Sequence, residues 1–142
     1  MSYHQTSQFE TASDPKALRD LLTWFEQFQD APIPNKIWLQ CQLALIEGFT
    51  NALRHAHAGM AIETPIRIQV TVSEHNIDIW IWDQGPGFSF DAILKNNLTV
   101  AGRDAEGGRG LKIMYLVADE ISYQPVENQG NCLHLHKAYR AD

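Results

Sequence analysis

The feature that most constrains the fold of this chain is a change, midway along it, in the spacing of the apolar residues. Over residues 15–29 and 35–57 they recur three and four positions apart, which predicts two amphipathic helices. Over residues 65–73 and 77–82 they alternate with polar residues, which predicts two strands joined as a hairpin across residues 74–76. Helices followed by an alternating hairpin favour a fold in which the helices cover one face of a sheet.

Shorter patterns extend this order at the start of the chain. Residues 3–12 alternate, which predicts an edge strand with Phe9 turned inward. Ser13 or Asp14 is a natural N-cap for the helix that follows, because Pro15 would then occupy the first helical position.

The second half of the chain predicts the remaining elements. Residues 96–106 are polar and contain glycine, which is typical of a mobile loop or lid, and a short helix is possible before them at residues 90–95. A further helix is expected over residues 111–118, and strands over residues 120–124 and 131–139. The complete order predicts an α+β fold, with helices layered on one face of a mixed, mostly antiparallel sheet.

Composition limits the classes of protein to consider. The chain has 142 residues, of which 44% are hydrophobic, so we expect one globular domain over residues 1–142. It contains no apolar run of about 18 residues and no signal-peptide pattern, so we expect a cytoplasmic protein without a membrane span. A net charge of −6 without a basic run argues against direct nucleic-acid binding and favours protein partners.

The cysteines and histidines do not form a recognisable metal pattern. Cys41 and Cys132 are isolated, so buried free thiols are expected rather than a disulfide or a zinc site. His134 and His136 alternate with leucines, which places them on the outer face of a strand. A surface metal pair at these two histidines is the alternative.

One stretch of the second predicted helix carries an unusual row of polar residues. On a helix, Glu47, Asn51 and the pair Arg54 and His55 share one face, opposite the apolar face. A carboxylate one turn before a carboxamide supplies two oxygen ligands, which suits Mg²⁺ carrying substrate phosphates. The alternative is an ordinary solvated helix face.

A second motif follows the predicted hairpin. Asp83-x-Gly85-x-Gly87 places a carboxylate at the end of a buried strand, followed by backbone that a ligand can approach closely. Such a carboxylate can accept a hydrogen bond from an exocyclic amine, for example the amino group of adenine. Ordinary turn chemistry is the alternative.

A third motif opens the predicted helix at residues 111–118. Glycines in Gly108-Arg109-Gly110-Leu111 expose backbone N–H groups at a helix N-terminus, where an anion such as phosphate can bind. A simple loop-to-helix junction is the alternative. The P-loop pattern is absent from the sequence.

Together these motifs resemble the GHKL superfamily of ATP-binding domains, and most of all its small bacterial anti-sigma factor serine/threonine kinases. The resemblance spans essentially the whole chain, as far as His136. The stretch from Glu47 to Asn51 and His55 resembles the N box of that branch. The motifs at Asp83 and at Gly108 resemble its two glycine boxes.

The resemblance implies a Bergerat-type two-layer α/β sandwich that binds Mg-ATP beneath a lid. It implies that Glu47 is the general base or orients the attacking hydroxyl, that Asn51 is the Mg²⁺ ligand and that Asp83 reads adenine. The other residues that it places around the cofactor are Arg54, His55, Gly85, Gly87, Gly108, Arg109, Gly110 and Leu111.

The function implied is that of a regulatory kinase. It would transfer the γ-phosphoryl group of ATP to a Ser or Thr of an antagonist protein, and would sequester a sigma factor or similar regulator. The resemblance also implies a possible homodimer. An ATP-gated binding module without kinase activity, or a detached histidine-kinase catalytic domain, is the alternative.

The chain departs from the family pattern in two places. Where the family usually has two hydroxyl residues after the last glycine, this chain has Asn131 and Cys132, so a water-mediated adenine contact from a hydroxyl is not implied there. The first strand, over residues 3–12, is short and polar for a segment that helps related kinases to dimerise and bind sigma factor.

Overall fold

The computed structural model describes residues 3–87 and 108–140. Five strands form one open sheet in the order β1-β2-β3-β5-β4, and all the pairings between them are antiparallel. The helix predicted at residues 90–95 and the lid predicted at residues 96–106 lie outside the described residues. The strands are β1 His4–Ala12, β2 Pro65–Ser73, β3 Asn76–Asp83, β4 Glu120–Pro125 and β5 Asn131–Ala138.

Helices pack on one face of this sheet, which gives the predicted α+β two-layer sandwich. Two of them continue into short turns of different helical geometry, a 3₁₀ turn at Glu26–Phe28 and a π-helical turn at Ala52–Ala56. π-helical turns occur mostly within α-helices and often at functional sites. The helices are α1 Ala17–Phe25, α2 Asn35–Asn51 and α3 Gly108–Val117.

The helix α1 begins at Ala17, two residues after the predicted first helical position, and Lys16 before it makes no side-chain capping hydrogen bond. Asp14 instead accepts a hydrogen bond from the backbone N–H of Lys16 at 2.9 Å, in the turn before the helix. The hydroxyl of Ser13 is occupied elsewhere, since it donates to the carbonyl oxygen of Thr64 at 2.6 Å. At Ser13 a tertiary contact has replaced the local one, whereas Asp14 makes a local contact before the helix.

The core lies between the helices and the inward side chains of the sheet. Phe25 of α1 stacks on Trp38 of α2 with a centroid separation of 5.3 Å. Gly48 lets α2 lie close to β3, because a Cβ at this position would be 2.3 Å from Cδ1 of Ile81. Close approach at Gly48 brings the neighbouring polar residues of α2 to the end of the sheet where β3 finishes.

The outer face of the sheet carries the two histidines for which a metal site was the alternative. Nε2 of His134 and Nδ1 of His136 lie 2.8 and 2.9 Å from the same carboxylate oxygen of Asp78. His134 also stacks on Trp80, with 4.8 Å between the ring centroids. Within residues 3–87 and 108–140, no cluster of three or more His, Cys, Asp and Glu is arranged to hold a metal ion.

Both cysteines are free thiols, as predicted. Burial raises the pKa of Cys41 to about 12 and that of the half-buried Cys132 to about 11, so both remain protonated at neutral pH. None of the helices in the described part of the chain combines the length and apolar character of a membrane span.

Candidate nucleotide-binding site

The predicted metal ligand of α2 is buried rather than solvated. Asn51 is only 6% exposed. Its side-chain carbonyl oxygen Oδ1 has no hydrogen-bond partner among the described residues. A buried acceptor left unpaired costs about 1–3 kcal/mol, and native structures rarely carry one without an ion or water to satisfy it. The chemistry of Asn51 Oδ1, a hard neutral oxygen, fits Mg²⁺.

Glu47 lies one turn before Asn51 and faces the start of α3. A Cβ placed on Gly110 would be 2.8 Å from carboxylate oxygen Oε2 of Glu47, so the glycine provides the space that this carboxylate occupies. Leu111, which follows, is 1% exposed and anchors the first turn of α3 in the core. The fold therefore brings the acidic helix and the second glycine motif together, although some 60 residues separate them in sequence.

Asp83 ends β3 and points toward the helices, where it is 2% exposed. Its Oδ1 accepts hydrogen bonds from the backbone N–H of Gly85 at 2.9 Å and from Nδ2 of Asn131 at 3.0 Å. Its Oδ2 accepts one from the hydroxyl of Tyr123 at 2.8 Å. A carboxylate has roughly four acceptor positions, so these contacts leave Oδ2 able to accept a further donor.

Tyr123 and Asn131 are site residues that sequence reasoning did not assign. Burial, then the hydrogen bond to Asp83 and its charge, raise the pKa of Tyr123, so its hydroxyl stays protonated and donates. Asn131 pairs with Asp83 across β3 and β5, and its Nδ2 also donates to the carbonyl oxygen of Gly85 at 2.9 Å. The residue that departed from the family pattern thus fixes the Asp83 carboxylate directly.

Two glycines with positive φ complete the turn around Asp83. Gly87 has φ of +85°, and a Cβ there would lie 2.9 Å from Oδ1 of Asn131. Gly130 has φ of +73°, and a Cβ there would lie only 1.9 Å from the carbonyl oxygen of Asp83. The backbone before β5 therefore passes so close to the end of β3 that only glycine fits.

A third group that the sequence did not single out is the buried His57, at 3% exposure. Its Nε2 accepts the backbone N–H of Gln84 at 2.7 Å, and its Nδ1 lies 2.6 Å from the hydroxyl of Ser13. Desolvation lowers the pKa of His57, and the nearby charge of Asp83 opposes that effect.

Three further predicted positions lie on the helical segments that contain Asn51 and Gly110. Arg54 is exposed on the π-helical turn. The backbone of His55 lies in the same turn and that of Arg109 in α3, whereas their side chains are outside the described part of the structure.

A comparison with known protein families identifies the family of the chain. Residues 11–137 match the model of the histidine kinase-like ATPase domain family, and the chain belongs to that family. Domains of this family, part of the GHKL superfamily, bind ATP, typically with Mg²⁺. A comparison with curated proteins gave no match. The chain is thus a histidine kinase-like ATPase domain with the two-layer α/β sandwich of GHKL proteins.

Proposed function

We propose that this chain is an ATP-dependent protein serine/threonine kinase of the anti-sigma factor type. It phosphorylates a hydroxyl of an antagonist protein and, in its unopposed state, sequesters a transcription regulator such as a sigma factor in the cytoplasm. The observation that carries nucleotide binding is the buried, unpaired Oδ1 of Asn51, because it is an acceptor that the described fold leaves for a cation to satisfy.

Different residues would bind the adenine and the phosphates of ATP. Asp83 would accept a hydrogen bond from the amino group of adenine, while Tyr123 and Asn131 hold its carboxylate in place. Guanine presents a carbonyl oxygen where adenine has its amino group, so the same carboxylate disfavours it. Asn51 would hold Mg²⁺, which neutralises charge on the phosphates when bound.

Transfer requires a group that takes the proton of the attacking hydroxyl. The hydroxyl oxygen forms a bond to the γ-phosphorus, the bond from that phosphorus to the β,γ-bridging oxygen breaks, and ADP leaves. Glu47 accepts the hydroxyl proton, and its carboxylate lies against Gly110 in the first turn of α3. A module that only binds ATP does not need this carboxylate.

The test is phosphate transfer to a protein partner. The purified protein is incubated with Mg²⁺, γ-labelled ATP and the proteins that co-purify with it, and the label is sought on Ser or Thr. Wild type should label a partner, whereas Glu47→Ala should bind ATP, measured by calorimetry, and transfer little. The matched control is Glu63→Ala, which removes an exposed carboxylate before β2 and should transfer normally.

The outcomes separate the candidate functions. Equal labelling by Glu47→Ala and wild type would remove Glu47 as the base. ATP binding without label on any partner would favour the ATP-gated binding module, and transfer to a histidine would favour a detached histidine-kinase catalytic domain.

A further inference from the structure

His57 lies where three separate parts of the chain meet. It follows the π-helical turn after α2, and its imidazole contacts Ser13, which follows β1, and Gln84, which follows β3. The ring is 3% exposed, so water does not compete for these contacts.

The hydrogen bonds around the ring specify its protonation state. The backbone N–H of Gln84 can only donate, so Nε2 of His57, 2.7 Å away, must be without a proton. The Ser13 hydroxyl donates to the carbonyl oxygen of Thr64 at 2.6 Å, so it accepts from Nδ1–H of His57 at 2.6 Å. The hydrogen bonds that link Gln84, His57, Ser13 and Thr64 therefore have matched donors and acceptors when the imidazole is neutral and carries its hydrogen on Nδ1.

The contact to Gln84 reaches the nucleotide site through the backbone. Gln84 directly follows Asp83. Its side chain is exposed, and its backbone N–H is the group that is hydrogen-bonded to His57. His57 directly follows the continuous helical segment that contains Asn51. The imidazole therefore ties the base-reading end of β3 to the helix that carries the cation ligand.

We propose that neutral His57 is a positioning residue for the nucleotide site, and that nucleotide binding requires its imidazole to be unprotonated. This inference rests on the proposed function, since it assumes that Asp83 binds the adenine and Asn51 the Mg²⁺ of the same ATP. Protonation would place Nε2–H against the N–H of Gln84, so the hydrogen bond is lost and two donors face each other. The turn after Asp83 is then released from the helix.

The direction of the pH effect follows from the burial of the ring. Desolvation lowers the pKa of His57 in the folded protein, and Asp83 is the charged group among the described residues whose field opposes this shift. The unfolded chain, with a histidine pKa of about 6.5, therefore binds more protons than the folded one as pH falls. Fold stability from this group is full above about pH 6.5 and is lost as pH falls through the folded-state pKa.

The effect on binding is set by the neutral fraction of His57. Apparent affinity falls in proportion to the binding-competent population, which approaches about tenfold per pH unit below the pKa. This dependence distinguishes a positioning role from simple packing, because a packing residue would have no pH profile of its own.

The first measurement is the affinity for a non-hydrolysable ATP analogue with Mg²⁺, determined by calorimetry from pH 8 to pH 5. Two variants are compared with wild type. His57→Gln keeps an acceptor for the N–H of Gln84 but does not titrate, whereas His57→Phe fills the space and accepts nothing. At pH 8, His57→Gln should bind more tightly than His57→Phe. As pH falls through the lowered pKa of His57, the affinity ratio of wild type to His57→Gln should fall, since ligand titration is common to both and cancels.

The second measurement needs no variant, so it stands even if a substituted protein does not fold. Nitrogen chemical shifts of His57 in the nucleotide-free protein at pH 7.5 should report the neutral Nδ1–H tautomer. The Nε2–H tautomer, or a charged ring, would overturn the inference.

The calorimetric outcomes separate this inference from the proposed function. Binding with parallel pH profiles in wild type and His57→Gln would overturn this inference alone. Absence of binding by wild type at every pH would overturn both.

Discussion

Gly130 offers a sharp test of how the turn around Asp83 is built. Substitution Gly130→Ala places a methyl group 1.9 Å from the carbonyl oxygen of Asp83 and 2.9 Å from its carbonyl carbon. The obstruction is backbone, so it cannot be relieved by rotating a side chain. The residue also has φ of +73°, which is unfavourable for alanine.

Gly59 provides the matched control, because it has φ of +79° and no atom lies within 4 Å of the place that a Cβ would take. The left-handed conformation costs alanine about 1–2 kcal/mol, and the stiffer unfolded chain offsets about 0.4–1 kcal/mol. Gly59→Ala should therefore lose about 0.5–1 kcal/mol of stability. Gly130→Ala adds an overpacking cost of about 1–3 kcal/mol, for a total loss of about 1.5–4 kcal/mol.

Urea denaturation at 25 °C measures both changes against wild type. Gly130→Ala should lose clearly more free energy of unfolding than Gly59→Ala. Without urea, Gly130→Ala should also bind ATP more weakly, because the turn after Asp83 is displaced. Equal losses for the two variants would refute the close approach of this turn to β3.

Two further substitutions test the catalytic and base-reading ends of the site. Gly110→Ala should displace the carboxylate of Glu47 and slow phosphate transfer by about 10²-fold while the melting temperature changes little; unchanged transfer in the labelling assay would contradict that placement. Tyr123→Phe removes the donor to Oδ2 of Asp83 and should weaken ATP binding about tenfold, the effect of a hydrogen bond to a charged group worth about 1.5 kcal/mol. Tyr115→Phe, which alters an exposed tyrosine, is its calorimetric control, and equal affinities of the two variants would argue against the role of the Tyr123 hydroxyl.

The local sequence pattern was sufficient to predict the helices and strands, because the spacing of apolar residues along an element shows which of its residues face the core. Alternation in β2 and β3 predicted their strands and inward faces, since a residue in a half-buried strand faces the core at every second position. Composition also predicted free cysteines correctly. Ser13, one of the two predicted caps of α1, does not cap the helix because its hydroxyl contacts Thr64, which lies far along the chain.

The site was only partly predictable for a related reason. Motifs indicated Asn51 and Asp83, but the burial of Asn51 depends on how closely α2 approaches the sheet. The contact of Tyr123 with Asp83 depends on the strand order, which places β5 between β3 and β4. The alternation of residues along one strand does not show which strands lie beside it. His57 carried no local signal at all, because its partners come from two distant turns.

In the proposed function, nucleotide binding depends most on Asn51, whose unpaired oxygen would hold the Mg²⁺ bound with ATP. Without nucleotide, Asn51→Ala should not lower the melting temperature, because it removes a buried oxygen that makes no hydrogen bond with the described residues. Gln42→Ala, another amide on α2, is the matched control.

The most direct measurement is the melting temperature of wild type, Asn51→Ala and Gln42→Ala with and without Mg-ATP. At a ligand concentration about 100 times Kd, binding should stabilise wild type by about 2.7 kcal/mol, and Gln42→Ala equally. Asn51→Ala should show no such increase. An unchanged melting temperature of wild type in millimolar Mg-ATP, or full protection of Asn51→Ala, would contradict the assignment of Asn51 as the residue that holds Mg-ATP.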